Sequence, residues 1–429
     1  MELLLYFMVP FLILLALGVP VAFSLGLPMV AFLALSRTAI PLTAVPEQMF
    51  AALNSFPLIA LPLFVLAGAL MNRLGITDRL LDFAEVLVGW MRGGLAQISI
   101  VVSMFFAGIS GSAIAEATAI GSLLIPAMKK QRYDADFAAA VVAAASVMGP
   151  IIPPSVPMII IGAMLGISIG GLFLAGMVPG ILIGLALMAL TAVISRRRGY
   201  LPASTFPGPR RFALAFLRAF PALLAPLIIL GGITFGVFTS TEAGAVATAY
   251  SLVLGAAYRR LTLRGLYGAF VETAKLTAAA LFIVSVAVVF SRILSLYQAP
   301  QKLLAVLLAV TEDKILLLLL INVFLFIAGM LMDAVANLLI LGPLLFPVLV
   351  GLGLHPLHAG AMIVINLMIG LITPPMAMCL FVTCSIAQIG LADVTRVIIP
   401  FILVEVVILL LVTYVPWVTL AVPRAAGFF

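Results

Sequence analysis

The chain has 429 residues, of which 65% are hydrophobic and 9% charged, and its mean hydropathy is +1.36. A soluble domain carries about 25% charged residues, so no single soluble core could hide this apolar surface, and the chain reads as a polytopic membrane protein. The net charge of +7 does not point to nucleic acid, because Lys and Arg sit mostly in short loops where they orient spans.

Apolar runs of about 20 residues are needed to cross a bilayer. In chain order such runs fall near 3–23, 24–42, 56–74, 137–163, 169–195, 213–237, 240–258, 276–298, 356–388 and 394–420. The first stretch, Met1 to Leu25, is apolar past the length of a signal-peptide core and carries only Glu2, so it reads as a span and not as a cleavable leader. Segments 44–54, 77–92 and 262–274 are shorter or amphipathic and fit interfacial or tilted arms. Segments 94–128 and 314–350 are apolar with a Gly-rich or polar centre. Each is expected to be a re-entrant hairpin, since polar non-helical backbone at membrane depth survives only inside protein or beside a water-filled cavity.

A constant offset of 221 ties the two halves together. Gly108 matches Gly329, Gly121 matches Gly342, Pro126 matches Pro347, Gly149 matches Gly370, Pro153–Pro154 match Pro374–Pro375, and Pro179 matches Pro400. Each of these residues bends or breaks a helix. Paired Gly/Pro-interrupted apolar segments are the sequence pointer to the binding site of a secondary transporter. The fold class expected is therefore an all-α polytopic membrane protein of two repeats, 1–195 and 212–429, joined by a linker at 196–211. Each repeat carries a hairpin and a Pro-broken helix, the latter near 137–163 and 356–388. Sixteen of the 22 basic residues, including Lys129, Lys130, Arg196–Arg198, Arg210, Arg211, Arg218, Arg259 and Arg260, fall on one side of this arrangement. That side is expected to be cytoplasmic, with both termini outside and the repeats inverted with respect to each other.

The first hairpin tip reads Gly108-Ile-Ser110-Gly111-Ser112-Ala-Ile-Ala-Glu116, and the second reads Gly329-Met-Leu-Met-Asp333-Ala-Val-Ala-Asn337. Under the offset, Asp333 matches Ser112 and Asn337 matches Glu116: polar groups recur while their identity changes. Hydroxyls, a carboxylate and unwound carbonyls suit a hard cation such as Na⁺, and half-helix N-termini suit an anion. The plainer readings are a small-residue packing face at the first tip and a capping Asp at the second. The broken spans read Ser146-Val-Met-Gly149-Pro150-Ile-Ile-Pro153-Pro154-Ser155 and Asn366-Leu-Met-Ile-Gly370-Leu-Ile-Thr373-Pro374-Pro375. The candidate cation ligands are Ser110, Gly111, Ser112, Gly149, Pro150, Gly329, Asp333, Gly370 and Thr373. The candidate substrate residues are Glu116, Pro154, Ser155, Asn337 and Pro375. No further metal is expected, and no cofactor beyond a coupling ion.

Other polar positions have plain readings. Thr239-Ser240-Thr241-Glu242 fits a helix start. Arg292 is expected to snorkel. His355 and His358 are expected in a solvated loop, and Cys379 and Cys384 as packing residues. No Walker A, Rossmann glycine pattern, H-E-x-x-H or triad spacing occurs, so an enzyme is not expected.

At Phe56–Gly68, Gly108–Gly121, Gly149–Ser155, Thr239–Gly244, Gly329–Asp333 and Gly370–Pro375 the chain resembles the DctM-type large membrane subunit of TRAP (tripartite ATP-independent periplasmic) transporters. Thr241-Glu242-Ala243 fits that family's turn, with Ser240 in place of its usual Pro. The resemblance implies a bacterial inner-membrane permease that imports a small carboxylate, such as a C4-dicarboxylate or sialic acid, driven by Na⁺ through an elevator-like motion. It implies two partners, a small four-helix membrane subunit and a periplasmic substrate-binding protein. The alternatives are a self-sufficient Na⁺/anion carrier of similar fold and a non-transporting membrane scaffold, against which the costly paired breaks argue.

Overall fold

The structure is a computed structural model that describes residues 7–35 and 41–429. Among the described residues it is all helical, with no strand. The first helices are α1 (Val9–Ala16), α2 (Val21–Leu35) and α3 (Ala44–Leu53). A 3-10 turn at Phe56–Ile59 leads into α4 (Ala60–Arg73), and α5 (Ile76–Val88) follows. The first hairpin is α6 (Gly94–Ser110) and α7 (Ala113–Lys130). The first broken helix is α8 (Ala135–Ser146) and α9 (Val156–Leu165), and α10 (Ile169–Arg198) closes the first half. Beyond the linker come α11 (Pro209–Thr234), α12 (Ser240–Ala257), α13 (Leu263–Leu296) and α14 (Ala299–Val310). The second hairpin is α15 (Lys314–Leu331) and α16 (Ala334–Gly351), and the second broken helix is α17 (Pro356–Gly370) and α18 (Met378–Ala387). The chain ends on α19 (Leu391–Tyr414) and α20 (Trp417–Ala425).

Seven of these helical segments are long and apolar enough to cross a membrane, and seven more are apolar but shorter. The short class includes both halves of each broken helix, as expected where Gly and Pro interrupt a span. Pairing α6–α10 with α15–α19 reproduces the sequence offset to within a residue or two at their starts. The Pro153–Pro154 and Pro374–Pro375 bonds are both cis.

Several expected boundaries differ from the observed ones. The first two spans, read as 3–23 and 24–42, divide earlier, where Gly18 takes φ +78 and Pro20 precedes α2. Their residues 3–6 and 36–40 lie outside the described residues. Segment 262–274, read as a separate arm, is the start of the 34-residue α13. No proline interrupts 263–296, so the helix has no reason to stop there. Glu272 on this stretch pairs with Arg73 at 2.9 Å. Segment 299–310 forms a helix that was not anticipated, and the last span ends at Tyr414, with α20 starting anew after Pro416.

The core sits where the broken helices cross. Phe137–Ser146 of α8 and Leu357–Gly370 of α17 present no exposed residue. A helix apolar all round belongs inside a bundle. In α8 the run Ala138-Ala-Ala-Val-Val-Ala-Ala-Ala145 lets neighbouring backbones approach closely. It packs against α7, α18 and α19. The hairpin tips are tied to the breaks by backbone bonds: Val156 N donates to Gly111 O at 3.4 Å, and Met376 N donates to Met330 O at 3.1 Å.

Glycines set how closely each tip is approached. Gly370 lies back to back with Gly329, and a Cβ on Gly370 would meet Gly329 C and Cα at 2.5 and 2.6 Å. The first tip meets its own break as well, a Cβ on Gly111 coming within 2.7 Å of Pro154 O, and it also faces other elements. A Cβ on Gly68 of α4 would meet Ile109 O at 3.0 Å, and one on Gly108 would meet the Pro226 side chain of α11 at 3.0 Å. A Cβ on Gly149 would meet Glu116 Oε2 at 2.5 Å, the free end of a side chain that can turn.

Gly370→Ala must therefore displace main chain at 2.5 Å, whereas Gly149→Ala must turn a carboxylate and ease Ser112 C and O, at 3.3 Å, by a few tenths of an ångström. Overpacking of the first kind costs about 1–3 kcal/mol. In detergent-solubilised protein, Gly370→Ala should lower the thermal midpoint clearly more than Gly149→Ala. Equal midpoints for the two variants would contradict the backbone contact.

Candidate functional site

Each tip ends on a helix start built by its own side chain. Gly111 takes φ +62 to turn the chain between α6 and α7, a conformation open to glycine without strain. Ser112 then caps α7, its hydroxyl accepting from Ala115 N at 3.5 Å. Asp333 caps α16 at the matching place, Oδ2 accepting from Val335 N at 2.9 Å and Ala336 N at 3.2 Å. The capping role read as the plainer alternative for Asp333 is thus present, and Ser112 shares it. Both tips aim the N-terminus of a half-helix inward, where backbone N–H groups favour negative charge.

The tips converge. A cavity of about 70 Å³ is lined by Gly111, Ser112 and Pro150 from the first half and by Asp333, Val335 and Leu371 from the second. A larger one of about 210 Å³ shares Ser112, Val156 and Val335 and extends between the first tip, α4 and α13. Its polar lining is Asn72, Ser110, Ser112, Glu272 and Thr277. Of these, Asn72, Glu272 and Thr277 were not anticipated. They lie on arm helices far from either tip in sequence, so no local pattern could have nominated them.

The other expected site residues lie elsewhere. Glu116 is fully buried behind the first tip, with neither carboxylate oxygen hydrogen-bonded. Its Oε2 lies close to Gly149. Asn337 is turned into its own hairpin, Nδ2 donating to Ala328 O at 2.8 Å and Met332 O at 3.2 Å. The Ser155 hydroxyl donates to Pro150 O and accepts from Met158 N at 3.2 Å. Thr373 Oγ1 donates to Ile369 O at 2.9 Å. Gly329 and Gly370 face each other, Pro154 is buried and Pro375 exposed. None of Glu116, Pro154, Ser155, Asn337 and Pro375 lines either cavity between the tips.

The lesser motifs resolve plainly. Thr239 and Glu242 form a reciprocal capping box on α12. Thr241 Oγ1 and Thr248 Oγ1 donate to Phe56 O and Leu63 O at 3.0 and 2.8 Å, stitching α12 to the α4 segment. Arg292 is exposed, and both cysteines are buried and free. The histidines depart from the expected solvated loop. His355 caps α17. His358 is buried on α17, with Nδ1 2.8 Å from Thr419 Oγ1 and Nε2 3.3 Å from Thr413 O. The cause is α20, which folds back across the start of α17 and covers it.

His358 belongs to a buried polar chain. Asn366 Nδ2 donates to Asn322 O at 3.0 Å and Oδ1 at 2.8 Å, and Asn322 Nδ2 donates to Thr413 Oγ1 at 3.1 Å. It joins α17, α15 and α19 beside the second break. Glu405 on α19 is a further fully buried carboxylate with neither oxygen hydrogen-bonded. Its signal, a lone acid within the apolar run 397–413, was present in the sequence.

Comparison with known proteins places the chain. Residues 8–418 match the family described as the tripartite ATP-independent periplasmic transporter, DctM component. The sialic acid TRAP transporter large permease protein SiaM of Vibrio cholerae is 42% identical, with 95% of each chain covered. The isethionate TRAP transporter permease protein DctMQ of Oleidesulfovibrio alaskensis is 40% identical over 95% of this chain and 64% of its own. The C4-dicarboxylate TRAP transporter large permease protein DctM of Vibrio cholerae is 37% identical, with 95% and 94% covered. Among solved structures, the YdaH transporter of Alcanivorax borkumensis superposes with a TM-score of 0.67 at 16% identity, covering 96% of this chain and 99% of its own. MtrF of Neisseria gonorrhoeae superposes at 0.58 and 12%, covering 87% and 83%. Both likenesses concern the fold alone.

The Asn322–Asn366 pair gives a test of the polar chain. Asn366→Ala removes one partner and leaves a buried acceptor on Asn322, which costs about 1–3 kcal/mol. Replacing both residues by Leu removes both partners at once. The double variant should therefore destabilise by clearly less than the sum of the two single Leu variants in a double-mutant cycle read by thermal unfolding. Strict additivity would show that the two amides are not coupled.

Proposed function

The chain belongs to the DctM component family of tripartite ATP-independent periplasmic transporters, and on that premise we propose that it is the large permease subunit of a Na⁺-coupled importer of a small organic carboxylate. The observation that carries this reading is the meeting of two capped half-helix starts, Ser112 and Asp333, at one small cavity. Relatives are named for sialic acid, isethionate and C4-dicarboxylates, all small organic anions, and inward-pointing helix N-termini suit the acid group of such a molecule.

In this reading the substrate acid sits against the N–H groups of Ala113 and Ile114 at the start of α7, because those of Val335 and Ala336 at the start of α16 are already held by Asp333. Na⁺ is held by the Ser110, Ser112 and Asp333 oxygens together with carbonyls freed at the two breaks. Transport follows when the hairpins and broken helices move together past α4 and α13, where the larger cavity lies. Both partner subunits belong to the proposal: a small membrane subunit, and a periplasmic binding protein that delivers substrate. No lysine or arginine lines either cavity between the tips. A site of amides and helix ends binds a carboxylate without the charge-assisted bonds that a guanidinium supplies. A tight soluble binder compensates by raising the local concentration.

In proteoliposomes with both partners, Ser112→Ala and Asp333→Ala should each weaken the Na⁺ dependence of uptake, and an imposed pH gradient should not replace Na⁺. If both variants keep wild-type Na⁺ dependence, the tips do not hold the ion.

At micromolar substrate, uptake by the membrane subunits alone should be near background and should rise when the cognate binding protein is added. Saturable uptake without it would instead mark a self-sufficient carrier.

The basic clusters support an orientation with Arg197 in the cytoplasm and the loop before α15 outside. In a background lacking Cys379 and Cys384, a cysteine at 197 should resist an impermeant maleimide in intact cells, while one at Glu312 reacts. The opposite pattern would reverse the orientation.

A further inference from the structure

At one membrane boundary, α5 and α11 enclose a groove of about 560 Å³ that has no part in the site between the tips. Its charged lining is Asp82 and Glu85 from α5 and Arg210, Arg211 and Arg218 from α11, over an apolar base that includes Leu214. The spacing on α11 accounts for the groove, because residues 211, 214 and 218 fall on one helical face. Two of these charges pair with each other: Arg211 meets Glu85 at 3.0 Å. Arg210, Arg218 and Asp82 have no ion pair among the described residues.

Depth is fixed by the neighbouring aromatic side chains. Phe206 of the linker meets Trp90 edge-on at 5.4 Å, and both are exposed, at 75% and 42%. An exposed indole such as that of Trp90 marks the level of lipid headgroups. Linker atoms hold the pair in place, since Ala203 N and Ser204 N both donate to Gly89 O, at 2.8 and 3.1 Å. Beyond the groove, α11 turns Leu217 and Phe220 outward, the face expected against acyl chains. Two free guanidinium groups therefore stand at headgroup depth with apolar surface just below them.

We propose that this groove is a headgroup site for a membrane phospholipid that carries both a phosphodiester and a primary ammonium group. Arginine matches phosphate oxygens with paired donors and is weakly hydrated, so Arg210 and Arg218 are suited to the phosphodiester. Basic pockets between spans are a recurring form of lipid recognition. Asp82 decides the rest of the headgroup. Its unpaired carboxylate in the same groove opposes a purely anionic head and favours one that adds a cation with hydrogen-bond donors. A freely soluble phosphate has no use for the apolar base or the aromatic pair.

Native mass spectrometry of the delipidated full chain tests this, with phosphatidylethanolamine, phosphatidylglycerol, phosphatidylcholine and inorganic phosphate as separate probes. Wild type should retain phosphatidylethanolamine best. Arg210→Gln/Arg218→Gln should weaken that binding by roughly a hundredfold or more, following the loss of two charge-assisted hydrogen bonds to the phosphodiester. Asp82→Asn should abolish the preference over phosphatidylglycerol. An Arg210→Lys/Arg218→Lys variant should keep most of the binding, which separates lost charge from lost fold. The proposal fails if the Gln variant binds phosphatidylethanolamine as wild type does. It fails too if phosphatidylglycerol is retained equally by wild type, or if inorganic phosphate competes.

Discussion

A helix broken inside a bilayer leaves backbone groups with no water to bond, and the architecture follows from meeting that demand. The breaks at 147–155 and 371–377 are covered by a hairpin tip apiece, through Val156 N to Gly111 O and Met376 N to Met330 O. Each unsatisfied group at this depth would cost several kcal/mol. The hairpins therefore cannot leave the breaks without some replacement partner, and tip and break are bound to behave as one body. The buried stretches Phe137–Ser146 of α8 and Leu357–Gly370 of α17 are the shafts on which these bodies are assembled.

The same constraint explains why polar residues in the interior are few and mostly occupied. Ser155, Thr373 and Asn337 are taken up by carbonyls that the irregular backbone exposes. Among the described residues several buried groups lack a hydrogen bond, Thr191 and Ser195 among them, and Glu116 and Glu405 are the two carboxylates in that state. A hydroxyl or amide found beside a break is thus first a structural device, and only those facing a cavity are available to a transported species. Ser112 and Asp333 both cap a half-helix and line the small cavity, and each keeps acceptor capacity beyond its cap, one N–H bond being accepted by Ser112 and two by Asp333 Oδ2.

The Gly/Pro offset made both hairpins and both breaks legible from sequence, because those residues act on local backbone whatever surrounds them. The tips at Gly111–Ser112 and at Asp333 were readable for that reason. What depended on tertiary contact was not. His358 looked like a loop residue until α20 was seen to cover it. Asn72 and Thr277 reach the cavity from helices that are over 200 residues apart. The 34-residue α13 was divided too early, because Glu272 and Lys275 lowered the local hydropathy while leaving the helix itself unbroken. Polarity marks where a segment meets water or a partner, and it is a poor guide to where a helix ends.

The two tips are not mounted alike. The second presses Gly329 against Gly370 of its own broken helix, while the first presents Gly108 to Pro226 and receives Gly68 of α4 against its backbone. A contact between bare backbone and a proline ring has no interlocking knobs, so shear along it demands no rotamer change and few steric collisions. Friction between moving surfaces is set by such roughness. Gly111 meets its own break almost as closely, a Cβ there coming within 2.7 Å of Pro154 O, so each tip is clamped to its break by bare backbone, and a displacement of the first tip would slide along the seam of Gly108, Pro226 and Gly68.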